Sequence, residues 1–411
     1  MIEQIVFLCV GAVLGAIVGR WYGTVADRAA QWLASVRRAR LGRQFEVSRE
    51  WSRAIAAYRQ WNLEASLYQL ELIGTPSAPV PALHSRRTSF PEVVDIRTDP
   101  LMQCDHELQI LPSSARIVRR YRRRGVRLFD GKLLALRSAN ITDGRLIELR
   151  VGQVNYFPYA TLSYRLQRDI SSRRRRGQMH HRHLRSFDAA LANGLQPQAL
   201  GCAVATLLTG SDGLYVAVAR RSEQVLNGPG TISVLPLFGM ECHALGQRES
   251  TYGLTFYNFV REFCEEFFDL EELVQVMEAR RAEPDWIFQL PPARAVVREA
   301  SQHRLLLSRT AFLVGLNDGS LNCTLIAHFT SHKFFEWLIA ECRINWESAT
   351  SNTAPPVEFV KLDDVRLDKW LDEHVMEPTS AVALDRARMY AAKLARDNSP
   401  TIQRGTPVRS D

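Results

Sequence analysis

Residues Thr255 to Leu270 constrain this chain more than any other stretch. At helical spacing Phe256, Phe259, Val260, Phe263 and Phe267 form a broad apolar stripe, while Glu262, Glu265 and Glu266 stand at i, i+3 and i+4 on the adjoining face. A stripe of that width packs against a sheet. Carboxylates crowded on one helix face repel one another, and Arg261, four residues before Glu265, supplies only one compensating charge. A divalent cation is one way to supply the rest. Hard oxygen ligands suit Mg²⁺ or Mn²⁺, which bind through a few carboxylates, their own waters and substrate phosphates.

A chain of 411 residues is longer than one hydrophobic core usually organises, so two domains with appendages are expected. The net charge of +8 is uneven, with arginine dominating the first half and acidic residues gathering in the second. Anionic partners therefore suit the N-terminal half. The seven cysteines include no Cys-x-x-Cys pair, which favours a reducing compartment and argues against zinc.

The first 22 residues read as a transmembrane helix: an apolar run from Ile5 to Gly19, closed by Arg20, Trp21 and Tyr22. No Lys or Arg precedes the run, which argues against a cleaved signal. Arg20, Arg28, Arg37, Arg38, Arg40 and Arg43 follow it, placing the N-terminus outside and the rest in the cytoplasm of a single-pass inner-membrane protein. The arginines then lie against anionic lipid. Gly11, Gly15 and Gly19 recur every fourth residue. Either a helix-packing face for homo-oligomers or the ordinary abundance of glycine in membrane helices accounts for them.

Residues 23–73 carry a helical pattern, and the proline-bearing stretch 74–91 reads as a linker. Residues 92–195 form a β-rich region with Asp130-Gly131 and Asp143-Gly144 turns. It holds two basic runs, Arg116 to Arg127 and Arg173 to Arg176, the second extended by His180, His181 and His183. Without an aromatic platform or a nucleic-acid fold motif these read as solvated faces, and the histidines as an exposed loop; nucleic acid is not an expected partner.

Residues 196–395 give a clearer order of parts, before a polar tail at 396–411. Ala203–Leu208 and Leu214–Ala219 flank a Gly210-Ser211-Asp212-Gly213 turn, Gly228-Pro229-Gly230 makes a loop, and Thr231–Leu237 forms a strand before the acidic helix. A second hairpin turns at Asn317-Asp318-Gly319, and a closing helix spans Thr379 to Leu394. His328 reads as a satisfied core or rim histidine, with a role as base the alternative.

This order, with Arg261-Glu262-Phe263-Cys264-Glu265-Glu266, resembles the Nudix superfamily, whose box reads Gly-x5-Glu-x7-Arg-Glu-U-x-Glu-Glu-x-Gly-U. The box's second glycine falls at Phe268, and its first Gly and Glu fall at Gln247 and Gly253, unless an enlarged loop lets Gly239 or Gly246 and Glu249 serve instead. The resemblance implies an α+β fold, a Nudix-like α/β/α sandwich with a mixed sheet, preceded by the β-rich region and the membrane helix. It implies Glu262, Glu265 and Glu266 as ligands of Mg²⁺ or Mn²⁺, Glu265 and Glu266 in catalysis, and Arg261 orienting a glutamate. Arg220 and Arg221 are placed to meet the phosphates of a nucleotide. Hydrolysis of a nucleoside-diphosphate-linked compound is one expected activity. The other follows from similarity to the transmembrane–Nudix effectors of bacterial cyclic-oligonucleotide anti-phage defence: non-catalytic nucleotide sensing that triggers membrane disruption.

Overall fold

The computed structural model describes residues 47–70, 78–84, 92–142, 145–171, 177–192, 194–222, 224–245, 248–270, 284–343 and 357–397. The apolar run with Gly11, Gly15 and Gly19, the arginines after it, and Arg173 to Arg176 lie outside these residues. Among the described residues no helix is long and apolar enough to cross a membrane.

The architecture is mixed α and β around a curled, mixed sheet of ten strands. With strands numbered along the chain, its path is β1 (Leu67–Leu70), β2 (Ala78–His84), β13 (Leu305–Gly315), β14 (Leu321–Phe329), β7 (Leu200–Gly210), β8 (Gly213–Arg220) and β15 (Val357–Lys361). Three short strands branch from it: β3 (Glu92–Val93) on β13, β9 (Ile232–Val234) on β8 and β10 (Leu237–Gly239) on β7. The β14–β7 pair is parallel, and its neighbours β13–β14 and β7–β8 are antiparallel. A second sheet has the order β4 (Met102–Gln109), β6 (Arg145–Asn155), β5 (Lys132–Thr142), and β11 (Ala244–Leu245) pairs with β12 (Arg248–Glu249). The helices are α1 (Val47–Gln60), α2 (Ala115–Arg123), α3 (Tyr156–Ser171), α4 (Gln178–His183), α5 (Phe187–Ala192), α6 (Leu254–Phe268), α7 (Pro291–Ser301), α8 (His332–Glu341), α9 (Val365–Asp372) and α10 (Pro378–Asp397).

The acidic helix α6 begins one residue before its expected start and buries its aromatic stripe completely. Phe263 meets Phe329 of β14 at a ring-centroid distance of 5.9 Å, and Phe329 stacks on Phe334 of α8 at 4.1 Å. The preceding residue of β14, His328, points the opposite way and meets Tyr390 of α10. Successive strand residues face opposite sides, so α6 and α10 cover the two faces of this strand.

Arg309 of β13 fixes where α6 starts. Only 2% exposed, it donates to Asp99 (3.0 Å), Glu92 (3.1 Å) and the Thr255 hydroxyl (3.2 Å). One buried guanidinium thus ties the first turn of α6 and the approach to β4 to the central sheet.

Several expectations need correction. The stretch read as a linker contains β2, paired with β1 and β13. Its prolines fit because Pro79 lies where only β1 pairs and Pro81 sits in the bulge between the Leu83 and Val80 pairings, so neither falls among the residues, Ala82 to His84, that pair with β13. The helical pattern of residues 23–73 gives way to β1 at Leu67. One continuous core draws on Trp51, Leu83, Val151, Val204, Phe263 and Leu384, so residues before and after 195 share it. The strand expected at Thr231–Leu237 is split at Pro236, with β9 pairing β8 and β10 pairing β7.

His180 is fully buried, its Nδ1 2.9 Å from Asp169 and its Nε2 3.0 Å from the Leu316 carbonyl, so it is not part of an exposed loop. His328 is a satisfied core histidine, with Nε2 3.0 Å from the Thr209 hydroxyl and Nδ1 3.1 Å from Tyr390. Burial lowers its pKa to about 4. The unfolded chain takes up this proton near pH 6.5 and the folded chain only near pH 4, so stability falls as pH drops through that window. The expected loss from this group is about 3 kcal/mol at 1.36 kcal/mol per unit. Urea unfolding at pH 7 and pH 4.5 checks it: His328→Gln should show a smaller drop than the wild type, and equal drops would refute the assignment.

Candidate functional site

A cleft of about 340 Å³ opens between α6, the ends of β7 and β10, the turn after β13, and the three-stranded sheet. Arg261, Glu262, Glu265 and Glu266 all line it. The α6 backbone places these four within two turns, and the buried stripe beneath forces them toward the cleft.

Arg261, 3% exposed, holds the cluster together. It donates to Glu265 at 3.2 Å and to Glu262, and its Nη1 lies 3.7 Å from Glu241. Burial works against its charge, but Glu241, Glu262 and Glu265 outweigh that and raise its pKa. Glu266 accepts from the Leu237 backbone N–H at 3.1 Å, fixing α6 to β10. Glu262 carries the strain of the arrangement: burial pushes its carboxyl well above the usual range, and Glu265, Glu266 and Glu241 push it further against the pull of Arg261. Three carboxylates, Glu241, Glu262 and Glu265, thus surround one guanidinium, and Glu266 stands beside them on the same wall of the cleft. Their oxygens are of the kind a hard divalent cation takes, although among the described residues the group whose ligand atoms lie within 4.8 Å of one another is Cys104, His106 and Cys242.

The opposite walls are basic and aromatic. Arg127, Lys132 and Arg221 line the cleft with Tyr156 and Tyr159. Arg220 does not: it is exposed and donates to the Gly230 carbonyl at 2.8 Å. Consecutive residues at a strand end point to opposite sides, so only one of the expected arginine pair reaches the site. In the first basic run, Arg116, Arg119, Arg120, Arg122 and Arg123 are exposed around α2; beyond its end Arg124 is half-buried against the inner cavity, and Arg127, also exposed, lines the cleft.

Asp318, on the turn after β13, forms the floor. It accepts from Tyr159 (2.7 Å), Asn227 (3.1 Å) and the Ser320 hydroxyl (2.8 Å), and Ser320 in turn accepts from Asn322 (2.7 Å). Glu377 also lines the cleft; burial raises its pKa, opposed by the N–H groups of Ser380 and Thr379 and by Arg221. A smaller cavity of about 140 Å³ shares Asn227, Asp318, Asn322 and Glu377 with the cleft and continues it to Glu50 and Trp51 of α1 and to Arg124.

Glu241, Asp318, Asn322, Arg127 and Lys132 were not singled out from sequence as site residues. Glu241 had a signal, standing two residues after Gly239 where the family's first glycine was sought. At the position where the resemblance sets its second glycine, α6 continues through Phe268, which stacks on Trp337 at 5.4 Å, and the left-handed turn comes one residue later at Asp269 (φ 51°). No protein-family model and no curated protein matches the chain.

Proposed function

We propose that this is a membrane-anchored Nudix-like protein that binds a nucleoside-diphosphate-linked compound or related nucleotide with Mg²⁺ or Mn²⁺, and hydrolyses its diphosphate. The observation that carries the reading is one cleft with the α6 carboxylates on one wall and Arg127, Lys132 and Arg221 on the others. A sheet with helices against both faces of its central strand accords with the sandwich that the resemblance implies. A bound cation would neutralise diphosphate charge and acidify its water. Glu262, Glu265 and Glu266 would hold it, Arg261 fixes Glu262 and Glu265, and Glu265, less buried than Glu262 or Glu266, would take the proton of the attacking water. Arg221 meets phosphate oxygens, and Tyr156 and Tyr159 offer ring surface to the remainder of the ligand.

A second reading has the same ligand sensed rather than cleaved, with the signal passed to a membrane helix in residues 1–22. It is favoured by Glu50 and Trp51, which line the inner cavity and belong to α1, the helix that follows that stretch in sequence.

Equilibrium titration of the full chain with nucleoside diphosphates joined to a sugar, a second nucleoside or further phosphate tests the common site. With Mn²⁺ present, Arg221→Ala should weaken binding about 10- to 100-fold, the loss of a hydrogen bond to a charged group. Arg220→Ala should leave it within about twofold of wild type. Equal effects of the two substitutions would contradict the assignment.

A further inference from the structure

Away from the cleft, Cys104 and His106 of β4 meet Cys242, in the loop between β10 and α6. The Cys104 and Cys242 sulfurs lie 3.8 Å apart, and His106 Nδ1 lies 3.8 Å from the first and 3.1 Å from the second. In a tetrahedral zinc site with bonds of about 2.3 Å to sulfur and 2.0–2.1 Å to nitrogen, sulfurs stand roughly 3.8 Å apart and sulfur and nitrogen roughly 3.5 Å apart. The cluster comes within about 0.4 Å of each of those dimensions. It also has the outer arrangement expected of a metal-bound histidine: with Nδ1 turned toward the sulfurs, Nε2 lies 2.7 Å from the Glu249 carboxylate. That carboxylate selects the tautomer in which Nε2–H donates and Nδ1 keeps a free lone pair. His243, next to Cys242, has its ring 6.2 Å from His106, and its buried Nδ1 has no hydrogen-bond partner.

We propose that Cys104, His106 and Cys242 bind one structural Zn²⁺, with His243 at hand for the fourth corner. Spacing along the chain hides such a site, because its ligands come from segments more than a hundred residues apart. Each thiol loses its proton to solvent on binding, and the cation compensates the two thiolates that would otherwise repel. The ion would pin the enlarged loop that separates β10 from α6. Cys242 follows Glu241, the carboxylate facing Arg261, and Glu249 lies in the small β11–β12 hairpin of the same loop. The site therefore joins the three-stranded sheet to the wall of the cleft, and its soft ligand set separates it from the oxygen-lined cluster on α6.

Elemental analysis of the full chain, purified under reducing conditions and dialysed against metal-free buffer, should find one zinc per chain. Replacement by Co²⁺ should give the visible absorption of a tetrahedral ion with thiolate charge transfer, a readout that needs no variant. Cys242→Ser and Cys104→Ser should each remove the stoichiometric metal, and Glu249→Gln should weaken affinity about 10- to 100-fold. Absence of zinc from the wild type, a cobalt spectrum without thiolate bands, or metal content unchanged in both cysteine variants would overturn the proposal. So would a Cys104–Cys242 disulfide as the form isolated under those conditions.

Discussion

Glu265→Gln should lower metal-dependent cleavage of a nucleoside-diphosphate-linked substrate by at least about 1,000-fold. A metal's stabilisation of transition-state charge is worth several kcal/mol, and about 4 kcal/mol corresponds to three decades. The substitution removes one oxygen ligand's charge and the proposed proton acceptor while preserving shape. The Glu265 side chain is 16% exposed, a glutamine oxygen still accepts from Arg261, and Arg261 keeps Glu241 and Glu262 as counter-charges. The thermal midpoint should therefore stay close to wild type, so that lost turnover cannot be put down to lost fold. Turnover retained within tenfold would contradict the role given to this carboxylate. A wild-type chain that binds the metal–nucleotide pair but cleaves none of the panel would instead give the sensing reading.

The largest stability effect is expected at Arg309. Arg309→Met should cost about 3–5 kcal/mol, the range for removing one partner of a buried ion pair. Methionine fills much of the volume but leaves Asp99, whose side chain is 3% exposed, without its counter-charge. It also removes the donor to the Thr255 hydroxyl oxygen at the start of α6, which keeps only its own bond to Asp99. Adding Asp99→Asn should recover a large part of the loss, because the stranded charge and not the missing volume dominates it. Denaturant unfolding of the single and double variants checks this, and a loss below about 1 kcal/mol for Arg309→Met would refute it.

Local periodicity made much of the second half legible. The stripe from Phe256 to Phe267 located α6, and the turns at Gly210–Gly213 and Asn317–Gly319 located both hairpins, because alternation and turn chemistry are properties of neighbouring residues. The contents of the cleft were only half legible for the same reason. Glu262, Glu265 and Glu266 share a helix face and could be grouped by spacing. Arg127 and Lys132 come to the same cleft from a loop and the start of β5, and Asp318 from a turn whose glycine and asparagine already explained it as a turn. Pro79 and Pro81 masked β2, since the tolerance of proline depends on which side of a strand is paired, a fact that only the assembled sheet supplies. The Cys104, His106 and Cys242 cluster was hidden in the same way, its absence of a short repeat having argued against zinc.

The central claim is a nucleotide-phosphate site that needs a divalent cation at the α6 carboxylates. It is tested most directly by calorimetric titration of the full chain with the nucleoside-diphosphate-linked panel, once in Mn²⁺ and once in chelator. At least one compound should bind stoichiometrically in Mn²⁺ and more than tenfold more weakly in chelator, with that difference abolished by Glu262→Gln. Binding that is indifferent to Mn²⁺, or no binding by any member of the panel, would contradict it.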